Sequence, residues 1–380
     1  DARTQLPRNA ERAATAGPTF HDHAFAIGTD EPSAVADLNG DGDLTDSFVL
    51  ELYDLLLGGM EQTPVAMTPD PLAVGVDDWV VLTSEADMQL DLDGDGDQLE
   101  SVWQEIDPHG GTQTPLGFAS LGPGGSIADG EVLGLIAQEV DGRDANGDGD
   151  FLDRYAVAHD PAHDQTFTSD LALGSLPLAL AGDFLAFAAN EAQENADLNG
   201  DLDLTDDVLH TLDVTNGSVV NHGFAVAGLQ AVGQVLVLWL DESEDGLDRN
   251  DDGDTLDRVL TKFDPDTLFE ENLGLASTPP LLAVAGTRAL AAVSEAEQGS
   301  NLNDDGDTLD HVAYRFEAHV RPPLSNDPPP ELKRLPLAIV TTTAALLQDG
   351  RGLVLVSEAD QGLDLNGDGD TLDAVLHRFE

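Results

Sequence analysis

Seven copies of one ten-residue acidic segment recur along this chain, and their shared register limits what it can fold into. They begin at Asp37, Asp91, Asp144, Asp197, Asp248, Asn301 and Asp364, at spacings of 54, 53, 53, 51, 53 and 63 residues. A fixed period of this length marks a repeat architecture, in which each unit is one supersecondary element that buries its apolar face against its neighbours. Length alone would suggest two or three domains for 380 residues, but the period predicts one stacked body over 1–380.

Each copy alternates oxygen-bearing side chains. Position three holds Asn39, Asp93, Asn146, Asn199, Asn250, Asn303 and Asn366. Position five holds Asp41, Asp95, Asp148, Asp201, Asp252, Asp305 and Asp368, and position seven Asp43, Asp97, Asp150, Asp203, Asp254, Asp307 and Asp370. Position ten closes the segment with Asp46, Glu100, Asp153, Asp206, Asp257, Asp310 and Asp373. Alternate hard oxygens around a sharp glycine turn suit calcium, which takes about six to eight oxygen ligands. A single copy could be a solvated acidic loop; generic acidity does not reproduce the register seven times. Up to seven calcium ions, one per repeat, are therefore expected. The fourth and sixth copies should bind least tightly, because Leu202 replaces the turn glycine in one and Asn301 the first aspartate in the other.

A glutamate precedes each segment, at Glu31, Glu85, Glu139, Glu191, Glu242, Glu295 and Glu358. It is either a further ligand reaching in from the preceding strand or the partner of an exposed arginine.

The residues around the loops follow one grammar. In the fourth repeat a small apolar run (177–181), a Gly182–Asp183 turn and a second apolar run (184–189) lead into the loop. An alternating segment (207–213), an Asn216–Gly217 turn and a last run (218–225) follow. In the second repeat the same reading gives strands at 71–76, 79–85, 101–107 and 114–120. Nothing between turns is long enough for a helix of three turns. Four short strands per repeat predict an all-β, seven-bladed β-propeller with four antiparallel strands per blade. The blades span about 17–69, 70–121, 122–174, 175–225, 226–276, 277–340 and 341–380. The seventh stops after its third strand, so segment 5–16 is expected to supply the fourth and close the ring. The long last spacing reflects a proline-rich excursion at 321–330 within the sixth repeat. Each calcium loop should join second and third strands, all seven on one face, with the small-residue first strand innermost.

The loops resemble the Asp-rich calcium-blade loops of integrin-α-type and related bacterial β-propellers, and the first half of an EF-hand at positions one, three, five and six. The likeness covers about ten residues in every repeat. The integrin-type pattern has an acid at position nine, where this chain has Thr45, Leu99, Leu152, Thr205, Leu256, Leu309 and Leu372. The EF-hand's closing glutamate at position twelve is also missing. The resemblance thus implies the ion but not its coordination geometry.

Charge narrows the partners. With 74 acids against 15 bases the net charge is −59, and seven divalent ions would still leave it near −45. That disfavours nucleic acid and anionic membrane, and no apolar run is long enough for a membrane helix. Cysteine is absent, which removes disulfides, zinc thiolates and cysteine nucleophiles. Weak calcium loops fill only where calcium is abundant, so a secreted, periplasmic or cell-surface monomer is expected.

Catalytic candidates are sparse. His21 with His23, and His159 with His163, are the local histidine clusters; His21 and His23 share a strand face and could hold a transition metal, though polar turn residues are the plainer reading. His210 and His377 occupy equivalent third-strand places and read as exposed. Trp79, Trp103 and Trp239 are too few for a sugar-stacking groove, and no nucleophile elbow occurs. The expected function is a calcium-stabilised extracellular structural or interaction module with an unknown protein or glycan ligand. The alternatives are a propeller hydrolase, lactonase or polysaccharide lyase at a central channel, or a passive adhesion domain of a larger protein.

Overall fold

A computed structural model describes residues 19–21, 24–46, 48–54, 59–66, 73–74, 79–107, 112–120, 125–129, 132–140, 143–319 and 332–379. The expected closing strand at 5–16 and the excursion at 321–330 lie outside them. The described residues form an all-β structure of antiparallel sheets in which each strand pairs with the next in sequence. The chain divides into two compact units, Asp1–Ala172 and Leu173–Glu380.

The first unit carries three four-stranded meanders, whose second and third strands flank the acidic loops. These pairs are Ala24–Thr29 with Val49–Asp54, Trp79–Ser84 with Ser101–Ile106, and Val132–Gln138 with Arg154–Asp160. In the second unit the meanders run together. Val219–Val232 pairs with Asp207–Asp213 through its first half and with Val235–Asp241 through its second. Lys333–Leu346 does the same between His311–Glu317 and Gly352–Ser357. The sequence reading ended these strands at the repeat boundary; the backbone crosses it extended, bending at register shifts beside Val226 and Ile339. The last strand, Ala374–Phe379, pairs with Gly352–Ser357.

The second strands explain themselves by burial. Val235–Asp241 is apolar up to its final aspartate rather than alternating, because both faces are covered. Val235, Val237 and Trp239 pack with Ala289, Ala291 and Val293 of the following repeat. Leu236, Leu238 and Leu240 pack with Ala186, Ala188 and Leu209 of the preceding one. The fifth repeat's sheet is thus sandwiched between its neighbours, one face to each. The first unit repeats the pattern where Val80, Leu82 and Trp103 meet Leu133, Leu135 and Tyr155.

A single helical turn, which the sequence reading did not anticipate, follows most second strands: Glu31–Ala34, Glu85–Met88, Glu191–Glu194, Glu242–Asp245 and Glu358–Gln361. In four of them a polar residue at the strand end caps the turn. Ser84, Asn190, Asp241 and Ser357 each accept a backbone N–H from inside it. None of these helices is long and apolar enough to cross a membrane.

Candidate metal centre

The recurrent glutamate heads the helical turn in the five repeats that have one and is the anchor of the loop. Glu31, Glu85, Glu191, Glu242, Glu295 and Glu358 are completely buried, and Glu139 nearly so. Oε1 of Glu191 accepts the backbone N–H of Leu198 at 2.6 Å and of Asn199 at 3.3 Å, at loop positions two and three. Glu358 takes Leu365 at 2.6 Å and Asn366 at 3.0 Å in the same way. The other oxygen, Oε2, faces the N–H of position ten, at 3.3 Å for Asp206 and 3.4 Å for Asp310. The glutamate's own N–H donates to the position-ten carbonyl, as Glu191 does to Asp206 at 3.0 Å. One side chain therefore clamps both ends of the loop. The exposed arginine partner considered from sequence is corrected: the side chain points inward, to backbone donors.

Inside the loop the alternating oxygens build a ladder. Asn199 Oδ1 accepts from Asp201 N at 3.1 Å, Asp201 Oδ1 from Asp203 N at 3.0 Å, and Asp203 Oδ1 from Thr205 N at 2.8 Å. The same rungs recur in the seventh loop at Asp368, Asp370 and Leu372. Position one serves the turn: Asp364 accepts Gly367 N at 2.6 Å and Gly369 N at 3.0 Å. Each aspartate rung uses one carboxylate oxygen and leaves its twin for another partner. Position three reaches across to position ten, where Asn199 Nδ2 donates to Asp206 Oδ2 at 2.6 Å and Asn366 Nδ2 to Asp373 Oδ2 at 2.8 Å.

The carboxylates converge. Ligand atoms of Glu191, Asp201, Asp203 and Asp206 lie within 4.8 Å of one another, as do those of Glu295, Asp305, Asp307 and Asp310. Smaller groups join Glu31, Asp41 and Asp46; Glu85, Asp91 and Asp93; and Asp95, Asp97 and Glu100. In the fourth and sixth loops the structure thus brings positions five, seven and ten together with the preceding glutamate, whereas in the second the glutamate meets positions one and three and positions five, seven and ten group apart. The two fullest of these groups fall in the fourth and sixth loops, the pair in which sequence predicts the weakest binding.

Burial inside this concentration of charge raises the position-ten carboxyls. Asp46, Asp206 and Asp310 are pushed up to about 7, and Asp153 and Asp257 to about 6. The main cause is loss of water, followed by neighbouring groups such as Glu31 at Asp46, Glu139 at Asp153 and Glu244 at Asp206. Backbone donors instead hold Asp201 and Asp305 below the usual range. Unfolded, an aspartate ionises near about 4. The fold therefore retains extra protons between about 4 and about 7, and loses that advantage as pH rises through about 6 to 7. In chelator, stability is expected to increase as pH is lowered from about 8 to about 5, with the depressed Asp201 and Asp305 opposing it only below about 4. Urea melts across this range check the slope, and saturating calcium should flatten it.

Position six shows why glycine belongs there. Gly42, Gly96, Gly149, Gly253, Gly306 and Gly369 adopt φ between 99° and 113°, whereas Leu202 stands at 85° with its side chain 90% exposed. A β-carbon in that region costs about 1–2 kcal/mol, and no packing is lost on removing this one. Leu202→Gly is expected to stabilise the protein by about 1 kcal/mol, less a few tenths for the freer unfolded chain. Urea denaturation in chelator measures it; a loss of stability would refute the strain.

The other candidates separate. His159 is buried, bonded through Nδ1 to Thr166 Oγ1 at 2.9 Å, and held below its usual pKa by burial. His163 is exposed on Asp160 at 2.8 Å, so the two do not share a ligand. His23 lies outside the described residues, and with it the pairing to His21. His210, read as exposed, is buried against Phe187 with ring centroids 5.7 Å apart, because the sheet face it occupies is covered. His377, its equivalent, is half-buried. Trp79, Trp103 and Trp239 are all completely buried and belong to the core.

No family model and no curated protein matches the sequence. Among solved structures the chain is similar to a prolyl endopeptidase at 10% identity and a TM-score of 0.41, covering 90% of this chain and 46% of that one. It is similar to TolB from Acinetobacter baumannii at 13% identity and a TM-score of 0.32, covering 78% and 61%. It is also similar to the β-propeller domain of the Trilobed protease from Pyrococcus furiosus at 7% identity and a TM-score of 0.36, covering 82% and 85%. The chain spans about half the length of the prolyl endopeptidase it matches.

Proposed function

We propose that the chain is a calcium-binding, calcium-stabilised module: a seven-bladed β-propeller acting outside the cytosol as a structural or interaction domain. The observation that carries the reading is the convergence of a buried glutamate with positions five, seven and ten of a loop, within 4.8 Å. Four carboxylates at that separation repel strongly unless protonated or neutralised by a cation. Oxygen-only ligands and a turn built for sharp curvature favour calcium over softer metals.

The repeat register supports one ion per loop, each between second and third strands. Sheets that present one face to each neighbour support stacking of all seven repeats around an axis, with 5–16 completing the last blade. On this reading the acidic exterior keeps a monomer soluble, and the ligand is a protein or glycan. Calorimetric titration of the chelator-stripped chain tests the ion. Uptake of several calcium ions per chain is expected; no heat and no shift in melting temperature on adding calcium would refute it.

A further inference from the structure

Resting on the calcium reading, we propose that the ion of one loop takes a further carboxylate from the next repeat, so that it ties two repeats together. The residues are Asp87 for the first loop, Glu244 for the fourth and Glu297 for the fifth. Each stands two places after its repeat's buried glutamate.

The loops lean on the following repeat at this place. Asn39 Nδ2 donates to the Asp87 carbonyl at 3.0 Å, and Gln89 Nε2 to Asp41 Oδ2 at 2.9 Å and Asp43 Oδ2 at 3.3 Å. Four repeats on, Asn250 Nδ2 donates to the Glu297 carbonyl at 2.9 Å, and Gln298 Nε2 to the Asn250 carbonyl at 3.4 Å. Glu244 lines a cavity of about 360 Å³ together with Asn199 and Asp201 of the fourth loop. Arg249, which also lines it, pairs with Asp245 and Glu270.

Among the described residues, the buried glutamate oxygens Glu31 Oε2, Glu85 Oε2 and Glu297 Oε2 lack a hydrogen-bond partner. Glu31 Oε2 belongs to a completely buried side chain in the group with Asp41 and Asp46, and has no hydrogen-bond partner. Glu297 Oε2 is likewise out of solvent without one. Leaving a buried carboxylate oxygen unpaired is costly, and a cation between the loop and the next repeat would satisfy it.

The plain alternative is that these acids serve only their own helical turn, where a negative charge near the first N–H groups is favourable. That role is independent of calcium. The experiment compares Glu244→Gln and Glu297→Gln with wild type in the full chain, by calcium calorimetry and by melting in calcium and in chelator. Each variant is expected to weaken one site by about ten- to hundredfold while melting in chelator no lower than wild type. Unchanged affinity at every site, or an equal loss of stability with and without calcium, overturns the proposal. If wild type takes up no calcium, the parent reading fails and this one with it.

Discussion

Stripping calcium with a chelator is expected to lower the melting temperature by about 20 °C or more. One site stabilises a fold by about 2.7 kcal/mol when free ion stands at 100 times its dissociation constant. The unit Leu173–Glu380 carries four loops, so its ions would contribute about 11 kcal/mol. That equals the whole net stability of an ordinary domain, about 5–15 kcal/mol. At about 2–4 °C per kcal/mol for a unit of this size, tens of degrees follow. The physical source lies in the loops: Glu191, Asp201, Asp203 and Asp206 converge within 4.8 Å in a chain with 74 acids and only 15 bases. Calorimetric scans with and without chelator decide it, and an unmoved transition would remove calcium from the account of this fold. Magnesium should recover little of the loss, since it tolerates poorly the irregular oxygen sets that calcium accepts.

Glu295→Ala is expected to cost about 3 kcal/mol or more even without calcium. The Glu295 carboxylate receives the N–H groups of Leu302, Asn303 at 3.0 Å and Asp310 at 3.4 Å, all in a buried place. Truncation strands three donors, and each buried orphan costs about 1–3 kcal/mol. Glu295→Gln separates the two duties of the side chain. Its oxygen can still accept from Leu302 and Asn303, but its NH₂ group opposes the Asp310 N–H, so a smaller loss is expected. Both variants should also weaken calcium at the sixth loop, because the carboxylate charge is gone. Urea denaturation in chelator isolates the structural part. A Glu295→Ala protein within about 0.5 kcal/mol of wild type would show that the clamp contributes little.

Several parts of this architecture are legible in the residues alone. Period-two alternation with turn signals on either side placed a strand such as Asp207–Asp213 at its observed bounds. These signals are local, because a strand's side-chain direction and a turn's backbone angle depend on neighbouring residues. The acidic segments were legible for the same reason: their ladder joins residues two apart. His210 marks the limit. Its place in the strand was clear, but whether anything covered that face depended on residues elsewhere in the fold.

What the sequence determined by itself, then, is the seven-fold register, the strand-loop-strand unit and the oxygen-rich chemistry of each loop. Only the tertiary structure decided that the recurrent glutamate is buried as a clamp, and that Val235–Asp241 is covered on both faces. It also decided that Asn39 and Asn250 reach the turn after the next repeat's second strand, nearly 50 residues away. The reason is physical: hydrogen-bond ladders and turns are short-range and leave a periodic trace. Burial and charge shifts arise from groups that meet only when one repeat packs on the next.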